Sequence, residues 1–356
     1  MHKIFVLFSF LLAVSTSAAE LLYVASGGAI EVKSIDPKTG KLENIQKVEM
    51  AGLSKFTFSR NKQFLYAQAA IANGKKKQAS IATYKIADDG KLTFVHNAPI
   101  SSGTTELKTD HTDKFIAAAK YGTGIVTVWK LEDGVYKGNI AKELKIERKV
   151  HCSRFSKDNR FLMIPATGPN KVFELGFNQE TGDISVKREA AGPTSGAAQP
   201  RHLVFHPTKN FAYTTLERIK PGVGVWTYDP KKGELNLIQN LANSEDATGS
   251  ITNADLHLSP DNRFLYVSCR DKKGDTDHIV LYKVNDDGKL TFVKKFPCED
   301  IPRSFCLNKS GVFAYVCGQG SAKMGVYKID KESGHLNKVT VYETGKSPIW
   351  VETLIK

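Results

Sequence analysis

The chain has 356 residues, of which 41% are hydrophobic and 24% are charged, and its formal net charge is +13 at pH 7. A basic protein suits an acidic partner, but its lysines are scattered through turns such as "GKKKQ" and form no stripe, which argues against nucleic-acid binding. The five cysteines are odd in number and lack CxxC spacing, so neither a disulfide framework nor a zinc site is indicated.

The first nineteen residues have the pattern of a secretory signal. A basic start at His2 and Lys3 is followed by an apolar run from Ile4 to Val14 and by small residues that end at Ala19. This order predicts cleavage near Ala19 and export to the periplasm or the outside of the cell. The run is shorter than the roughly 20 apolar residues that span a bilayer, so we expect no stable membrane insertion.

Two sequence patterns alternate along the rest of the chain. The first is a turn followed by an aromatic-aliphatic strand, as in "LSPDNRFLYVS", and its anchoring Phe recurs every 46–53 residues. The second is an alternating strand that enters and leaves an Asp/Gly turn, as in "YKVNDDGKLTF". Each repeat therefore predicts two hairpins, or four strands. The anchors are Phe64, Phe115, Phe161, Phe211, Phe264 and Phe313, and the turn glycines are Gly40, Gly90, Gly134, Gly182, Gly233, Gly288 and Gly334.

Seven such units without helical stretches predict an all-β fold, a seven-bladed β-propeller with four antiparallel strands in each blade. The N-terminal "LLYVAS" reads as a seventh copy without its innermost strand, and we expect the C-terminal "PIWVETLI" to supply that strand. The two ends of the chain would then share one blade. We expect a single domain over residues 20–356 and a monomeric protein.

The repeats also predict which side chains meet at one rim of the central channel. The two inner strands of a blade form a hairpin, so the start of the first strand and the end of the second lie at the same rim. Ten residues before the anchors stand Ser54, Thr105, His151, Arg201, Ala254 and Arg303, with Ile349 as the C-terminal equivalent. Six residues after the anchors stand Ala70, Tyr121, Thr167, Glu217, Arg270 and Gln319.

Arg201 stands directly before an apolar strand, and we interpret its side chain as pointing into the mouth of the channel. An arginine cluster suits a carboxylate or phosphate group, and a histidine and a glutamate beside it could supply a general base. The alternative is structural, since such a rim is wet and Arg201 could simply pair with Glu217. The substrate-binding candidates are Arg303, Gln319, Asp255 and Tyr121.

Three further polar residues have structural interpretations. Alternation along a strand places His202 on the face opposite Arg201, so we expect His202 to pack or hydrogen-bond between the inner strands. Asp255 and His257 share a face, but a third ligand is not evident and we predict no metal site. We expect Asp255 mainly to support a neighbouring blade.

The strings "PRHLVFHP", "AYTTLE", "ADLHLSPDNRFLYVSCRD" and "SPIWV" together resemble the seven-bladed lactonase family. That family includes bacterial 6-phosphogluconolactonase and fungal carboxy-cis,cis-muconate cyclase. The resemblance covers essentially the whole chain after the signal, and it implies a site at the rim that needs neither a metal nor an organic cofactor. It implies a His, an Arg, a Glu and a second Arg as catalytic residues, at His151, Arg201, Glu217 and Arg270.

Three functions follow from these observations. The first is an exported lactonase for an anionic sugar lactone. In it Arg201, alone or with Arg270, stabilises the oxyanion, His151 or Glu217 activates water, and Arg303 and Arg270 bind the anionic group. The second is a cyclase-type enzyme that opens or closes a carboxymuconate lactone. The third is a non-catalytic propeller that binds proteins or glycans, because a fold does not determine a function.

Overall fold

The computed structural model describes residues 19–74, 76–193, 199–243 and 250–356. These residues form 28 strands in seven antiparallel sheets of four strands each. The predicted seven-bladed propeller is therefore confirmed. The predicted signal lies outside the described residues except for Ala19. No helix in the described ranges is long and apolar enough to cross a membrane.

The first sheet in chain order joins the two ends of the chain, and we call it the closing blade. It contains β1 (Glu20–Ser26), β2 (Ala29–Ile35), β3 (Leu42–Glu49) and β28 (Trp350–Ile355). β28 pairs antiparallel with β1, with Trp350 opposite Ala25 and Ile355 opposite Glu20. The C-terminal segment thus supplies the missing strand, as the repeat pattern predicted.

The other six sheets are numbered as blades one to six. Blades one and two contain β4 (Lys55–Phe58), β5 (Phe64–Asn73), β6 (Lys76–Ile86) and β7 (Leu92–Pro99), then β8 (Glu106–Thr109), β9 (Phe115–Lys120), β10 (Ile125–Glu132) and β11 (Val135–Lys145). Blades three and four contain β12 (Arg154–Phe155), β13 (Phe161–Ala166), β14 (Lys171–Phe177) and β15 (Ile184–Ala191), then β16 (Pro200–Phe205), β17 (Phe211–Leu216), β18 (Gly222–Asp229) and β19 (Glu234–Ala242). Blades five and six contain β20 (Ile251–Leu258), β21 (Phe264–Asp271), β22 (His278–Val284) and β23 (Leu290–Pro297), then β24 (Pro302–Leu307), β25 (Phe313–Gly318), β26 (Lys323–Ile329) and β27 (Leu336–Glu343).

The innermost strands of successive blades touch one another around a central channel. β4 contacts β8, β16 contacts β20, β20 contacts β24, and β24 contacts β28. Neighbouring inner strands therefore lie side by side. This arrangement can gather side chains that are about 50 residues apart in the sequence.

The two sequence patterns meet where adjacent blades pack together. In blade four, the anchor ring of Phe211 lies against the turn at Gly288 of blade five, so close that a Cβ on Gly288 would lie 2.5 Å from the ring. The hydroxyl of Tyr213 donates to the Gly288 carbonyl oxygen at 3.0 Å. The same tyrosine contact recurs in other blades, as Tyr23 to Gly90, Tyr66 to Gly134, Tyr266 to Gly334 and Tyr315 to Gly40. Anchors and turn glycines thus interlock neighbouring blades.

We expect Gly288→Ala to lower the free energy of unfolding by about 1–3 kcal/mol more than Gly74→Ala does, because only the first methyl group collides with a packed ring. Both glycines have positive φ, +79° and +58°, so both variants carry the same kind of backbone strain. No described heavy atom lies within 4 Å of a Cβ at Gly74. Urea unfolding of the two variants measures the difference, and equal losses would contradict the interlock.

Candidate active site at the channel rim

One end of the channel opens into a cavity of about 310 Å³, which we call the rim cavity. The residues that line it include six of the seven predicted from the position ten residues before the anchors. These six are Ser54, Thr105, His151, Arg201, Arg303 and Ile349. The seventh residue, Ala254, contributes its backbone, since its carbonyl oxygen accepts a hydrogen bond of 2.6 Å from Arg201 Nη1. The inner strands thus bring distant parts of the chain to one opening.

The second predicted set, six residues after the anchors, is set back from the rim cavity. Gln319 is the one residue of this second set that lines the cavity, as far as the described residues show. The Glu217 amide donates to the Gln199 carbonyl oxygen at 3.0 Å, so Glu217 lies opposite Gln199 and not opposite Arg201. Gln319 has the same register in blade six, where its amide donates to the Ile301 carbonyl oxygen at 3.0 Å. Glu217 differs from Gln319 in being paired with buried arginines outside the lining of the cavity.

Glu217 is shared by two arginines from neighbouring blades. Its Oε1 lies 3.0 Å from Arg270 Nη2 and 3.6 Å from Arg201 Nε, and all three side chains are buried. Burial raises the pKa of Glu217, but Arg201 and then Arg270 outweigh it, so that the pKa lies below its ordinary value. An ionised carboxylate held by two guanidinium groups is a weak proton acceptor. Glu217 therefore acts best as the counterion that positions both arginines.

Positive charge exceeds negative charge around the rim cavity. Lys55 lines it beside Arg201 and Arg303, and burial together with Arg303 lowers the pKa of Lys55 to about 7. Burial and Arg201 lower the pKa of Arg270 and of Arg303 in the same way. Among the described residues that line the cavity, Lys55, Arg201 and Arg303 are basic and none is acidic. The carboxylates of Glu217, Glu106 and Asp255 act on these groups from outside the lining. An anionic ligand would relieve this repulsion.

His151 and His202 are close neighbours in the wall of the rim cavity, with ring centroids 5.1 Å apart. Burial and the nearby Arg201 lower the pKa of His151 well below its ordinary value, so its ring is neutral at pH 7. The ring of Tyr121 stands edge-on to His151 at 6.0 Å. Tyr121 therefore supports His151 and is absent from the described lining of the cavity.

The position of His202 corrects the prediction from strand alternation. Pro200 pairs with Leu216 and Leu203 pairs with Thr214, so β16 contains one extra residue between these two pairs. Such a β-bulge lets two successive side chains face the same way, and both Arg201 and His202 line the cavity. Alternation failed here because it assumes a regular ladder.

In each of two consecutive blades, a side-chain hydroxyl accepts the hydrogen bond of the backbone amide at the bulge. The His202 amide donates to Thr215 Oγ1 at 3.0 Å. In blade five a register shift occurs between Asn253 and Leu256, and the Asp255 amide donates to Ser268 Oγ at 2.9 Å. His202 and Asp255 are thus structural equivalents in adjacent blades.

The position nine residues before each anchor carries mostly polar residues, which the alignment of the repeats did not treat as a set. Its members are Lys55, Glu106, Cys152, His202, Asp255 and Ser304. Lys55 and His202 line the rim cavity, whereas Asp255 and Ser304 line a second cavity of about 430 Å³ that extends toward the other end of the inner strands. Asp255 is therefore not at the predicted substrate pocket. The polarity of five of these six residues was the signal that could have revealed the set.

The Asp255 carboxylate is the centre of a buried hydrogen-bond network. Its Oδ1 lies 3.0 Å from His202 Nδ1, and it accepts a second bond of 3.0 Å from the Leu256 amide. Its Oδ2 lies 3.3 Å from His257 Nε2 and from Ser304 Oγ. Within the described ranges, no group of three or more His, Cys, Asp or Glu residues could hold a metal ion. The Asp255–His257 pair thus belongs to this network.

Comparison with known proteins places this chain in a family. The family model described as "Lactonase, 7-bladed beta-propeller" matches residues 12–353. The chain belongs to this lactonase family. The membership expected from "PRHLVFHP" and the other strings is therefore confirmed.

The relatives of this lactonase-family chain include curated bacterial enzymes. It is 32% identical over 316 residues to 6-phosphogluconolactonase from Klebsiella pneumoniae (strain 342), covering 88% of this chain and 92% of the relative. It is 31% identical over 346 residues to 6-phosphogluconolactonase from Pectobacterium carotovorum, covering 94% and 98%. Among solved structures, the periplasmic gluconolactonase PpgL from Pseudomonas aeruginosa matches with a TM-score of 0.83 at 23% identity, covering 95% of this chain and 99% of that chain.

Proposed function

We propose that this protein is an exported, cofactor-independent lactonase that hydrolyses a sugar lactone carrying a phosphate or carboxylate group. The observation that carries the proposal is the excess of cationic side chains at the rim cavity. Relatives named 6-phosphogluconolactonase at 31–32% identity support the reaction class. The signal pattern in residues 1–19 supports export.

Arg303 and Lys55 are the groups that we assign to the anionic end of the substrate. Both line the rim cavity, and the described residues place no carboxylate within ion-pair distance of either one. The planar guanidinium of Arg303 can bind two oxygens of a phosphate or carboxylate at once. Gln319, also in the lining, can donate to a sugar hydroxyl.

Arg201 is the group that we assign to the reacting carbonyl. Attack by water on a lactone carbonyl produces a tetrahedral oxyanion, which a preorganised donor stabilises more than it stabilises the ground state. Arg201 is 2% exposed, and its guanidinium is held by the Ala254 carbonyl and by Glu217. Arg270 acts through Glu217 and adds positive charge. A neutral imidazole in the cavity wall completes the set by accepting a proton from water.

A cyclase-type reaction on a carboxymuconate lactone is the second candidate, because the same cationic cavity fits carboxylates. Both enzyme functions predict that catalysis depends on the rim cavity. A non-catalytic scaffold predicts no lactone turnover at all.

The test uses the chain from residue 20 onward, which contains all 28 strands, against three lactones. We expect glucono-δ-lactone 6-phosphate to be hydrolysed above its spontaneous rate, and faster than neutral glucono-δ-lactone. A preference for carboxymuconolactone would favour the cyclase. Rates equal to spontaneous hydrolysis on all three lactones would contradict both enzyme functions and favour the scaffold.

A further inference from the structure

We infer that His202, oriented by Asp255, is the general base that activates water in this site. The inference rests on the proposed lactonase function and deepens it. It assigns the proton transfer to a residue outside the set His151, Arg201, Glu217 and Arg270. His202 is then a catalytic residue, and Asp255 is a positioning residue that acts through it.

The geometry of His202 is that of an oriented base. A general base works best when a third group fixes its ring and its tautomer. The bond between Nδ1 and Asp255 Oδ1 is 3.0 Å long, and both side chains are buried. Because the carboxylate can only accept, Nδ1 carries the proton and Nε2 keeps its lone pair. His202 lines the rim cavity, so Nε2 is the nitrogen left to meet a water there.

Asp255 is itself held rigidly and remains ionised. The Leu256 amide and the Ser304 hydroxyl donate to its carboxylate, at 3.0 and 3.3 Å, in addition to the two histidines. Burial opposes ionisation, but His257 and the bond to His202 outweigh it and keep the pKa of Asp255 well below its ordinary value. A negative charge fixed beside Nδ1 stabilises the imidazolium that forms when Nε2 accepts a proton.

His151, the neighbouring imidazole, lacks such a partner. Its Nδ1 is buried and has no hydrogen-bond partner among the described residues. The lowering of its pKa by burial, Arg201 and His202 disfavours the protonated state that a base must reach. The two rings are 5.1 Å apart, so His151 can bind the same water without accepting its proton.

The reaction balances with water as the only co-reactant. His202 Nε2 takes a proton from water while the water oxygen bonds to the lactone carbonyl carbon, and the carbonyl electron pair moves to the oxygen held by Arg201. The oxyanion then collapses and the ring C–O bond breaks. The leaving ring oxygen takes the proton back from the His202 imidazolium, which restores the neutral ring.

The charged and titratable groups that face His202 determine its pH dependence. They are Arg201 on the same strand, Asp255 on blade five, Glu106 on blade two and His151 on blade three. Burial and Arg201 lower the pKa of His202 below its ordinary value, against the opposing effect of Asp255. The base is therefore active when neutral, and kcat/KM should fall as the pH drops through this lowered pKa, at more acidic pH than for an ordinary histidine.

The experiment compares His202→Gln, Asp255→Asn and His151→Gln, measured on 6-phosphogluconolactone between pH 5 and 8 with spontaneous hydrolysis subtracted. We expect His202→Gln to lower kcat by about 10²–10⁴-fold, to leave KM within a few-fold, and to remove the acidic limb of the profile. Asp255→Asn should lower kcat and shift that limb to lower pH, because the carboxylate raises the pKa of His202. His151→Gln should keep the limb.

Nitrogen NMR of the wild-type histidine rings gives a readout that does not depend on the folding of any variant. We expect His202 in the Nδ1-protonated form at pH 7. The assignment of His202 as the base would be overturned by an Nε2-protonated His202. It would also be overturned by a His202→Gln enzyme with an unchanged rate and an unchanged acidic limb of the pH profile. In either case the lactonase function would stand. A wild-type enzyme without lactonase activity would overturn both.

Discussion

Arg201→Ala is expected to lower kcat/KM for 6-phosphogluconolactone by about 10²–10³-fold. Removing one preorganised donor from an oxyanion typically has an effect of this size. Arg201 lines the rim cavity, and its guanidinium is held by the Ala254 carbonyl and the Glu217 carboxylate before any substrate arrives. The variant loses both the donor and this preorganisation. Initial rates corrected for spontaneous hydrolysis measure the effect.

Two companion variants separate this role from general charge and folding. Arg201→Lys keeps the charge but loses the planar fork, so we expect it to recover only part of the rate. Arg263→Ala removes an exposed arginine whose Nε lies 2.9 Å from Asp261 Oδ2. The kcat/KM of this variant should stay within about twofold of wild type. A folded Arg201→Ala enzyme with wild-type kcat/KM would exclude Arg201 from the reaction.

Glu217→Gln is expected to lower the free energy of unfolding by about 3–5 kcal/mol, because it leaves two buried arginines without their counterion. Arg201 and Arg270 are 2% and 3% exposed, so solvent cannot replace the lost charge. The measurement is urea unfolding at pH 7. Phosphate in the buffer should restore more stability to this variant than to wild type, because an anion can take the place of the carboxylate.

The matched control is Glu189→Gln, which breaks an exposed ion pair of 2.7 Å with Lys171. Its cost should not exceed about 1 kcal/mol. The pKa of folded Glu217 is lowered, so its stabilising effect is present above the unfolded pKa of about 4.3 and is lost as pH falls through the folded pKa. Wild type and Glu217→Gln should therefore converge in acid. Equal losses in Glu217→Gln and Glu189→Gln would contradict a buried cluster.

The fold was predictable from the sequence because each blade repeats the same local chemistry. A Phe anchor such as Phe211 and a turn glycine such as Gly288 recur at nearly constant spacing, and both are required by the packing between blades. The spacing from the anchor also located residues near the rim end of the inner strands, six of which line the rim cavity. Arg201 and Arg303 were assigned to one opening in this way, and both line the rim cavity.

What the sequence did not reveal depends on departures from a regular ladder. The bulge after Pro200 turns His202 into the channel, and strand alternation placed it on the wrong face. Glu217 lies outside the described lining of the rim cavity and pairs with Arg270 from the next blade. Each depends on contacts between strands that are far apart in the chain. The lowered pKa of Lys55, about 7, likewise results from its burial beside Arg303, which lies about 250 residues away in the sequence.

The ratio of kcat/KM for 6-phosphogluconolactone to that for glucono-δ-lactone tests the central claim most directly. The two substrates differ only in the phosphate group that the cationic rim cavity is proposed to bind. We predict a ratio well above one that falls as inorganic phosphate is added, because phosphate competes for Arg303 and Lys55. A ratio of one that does not respond to phosphate would contradict an anion-binding site at the rim.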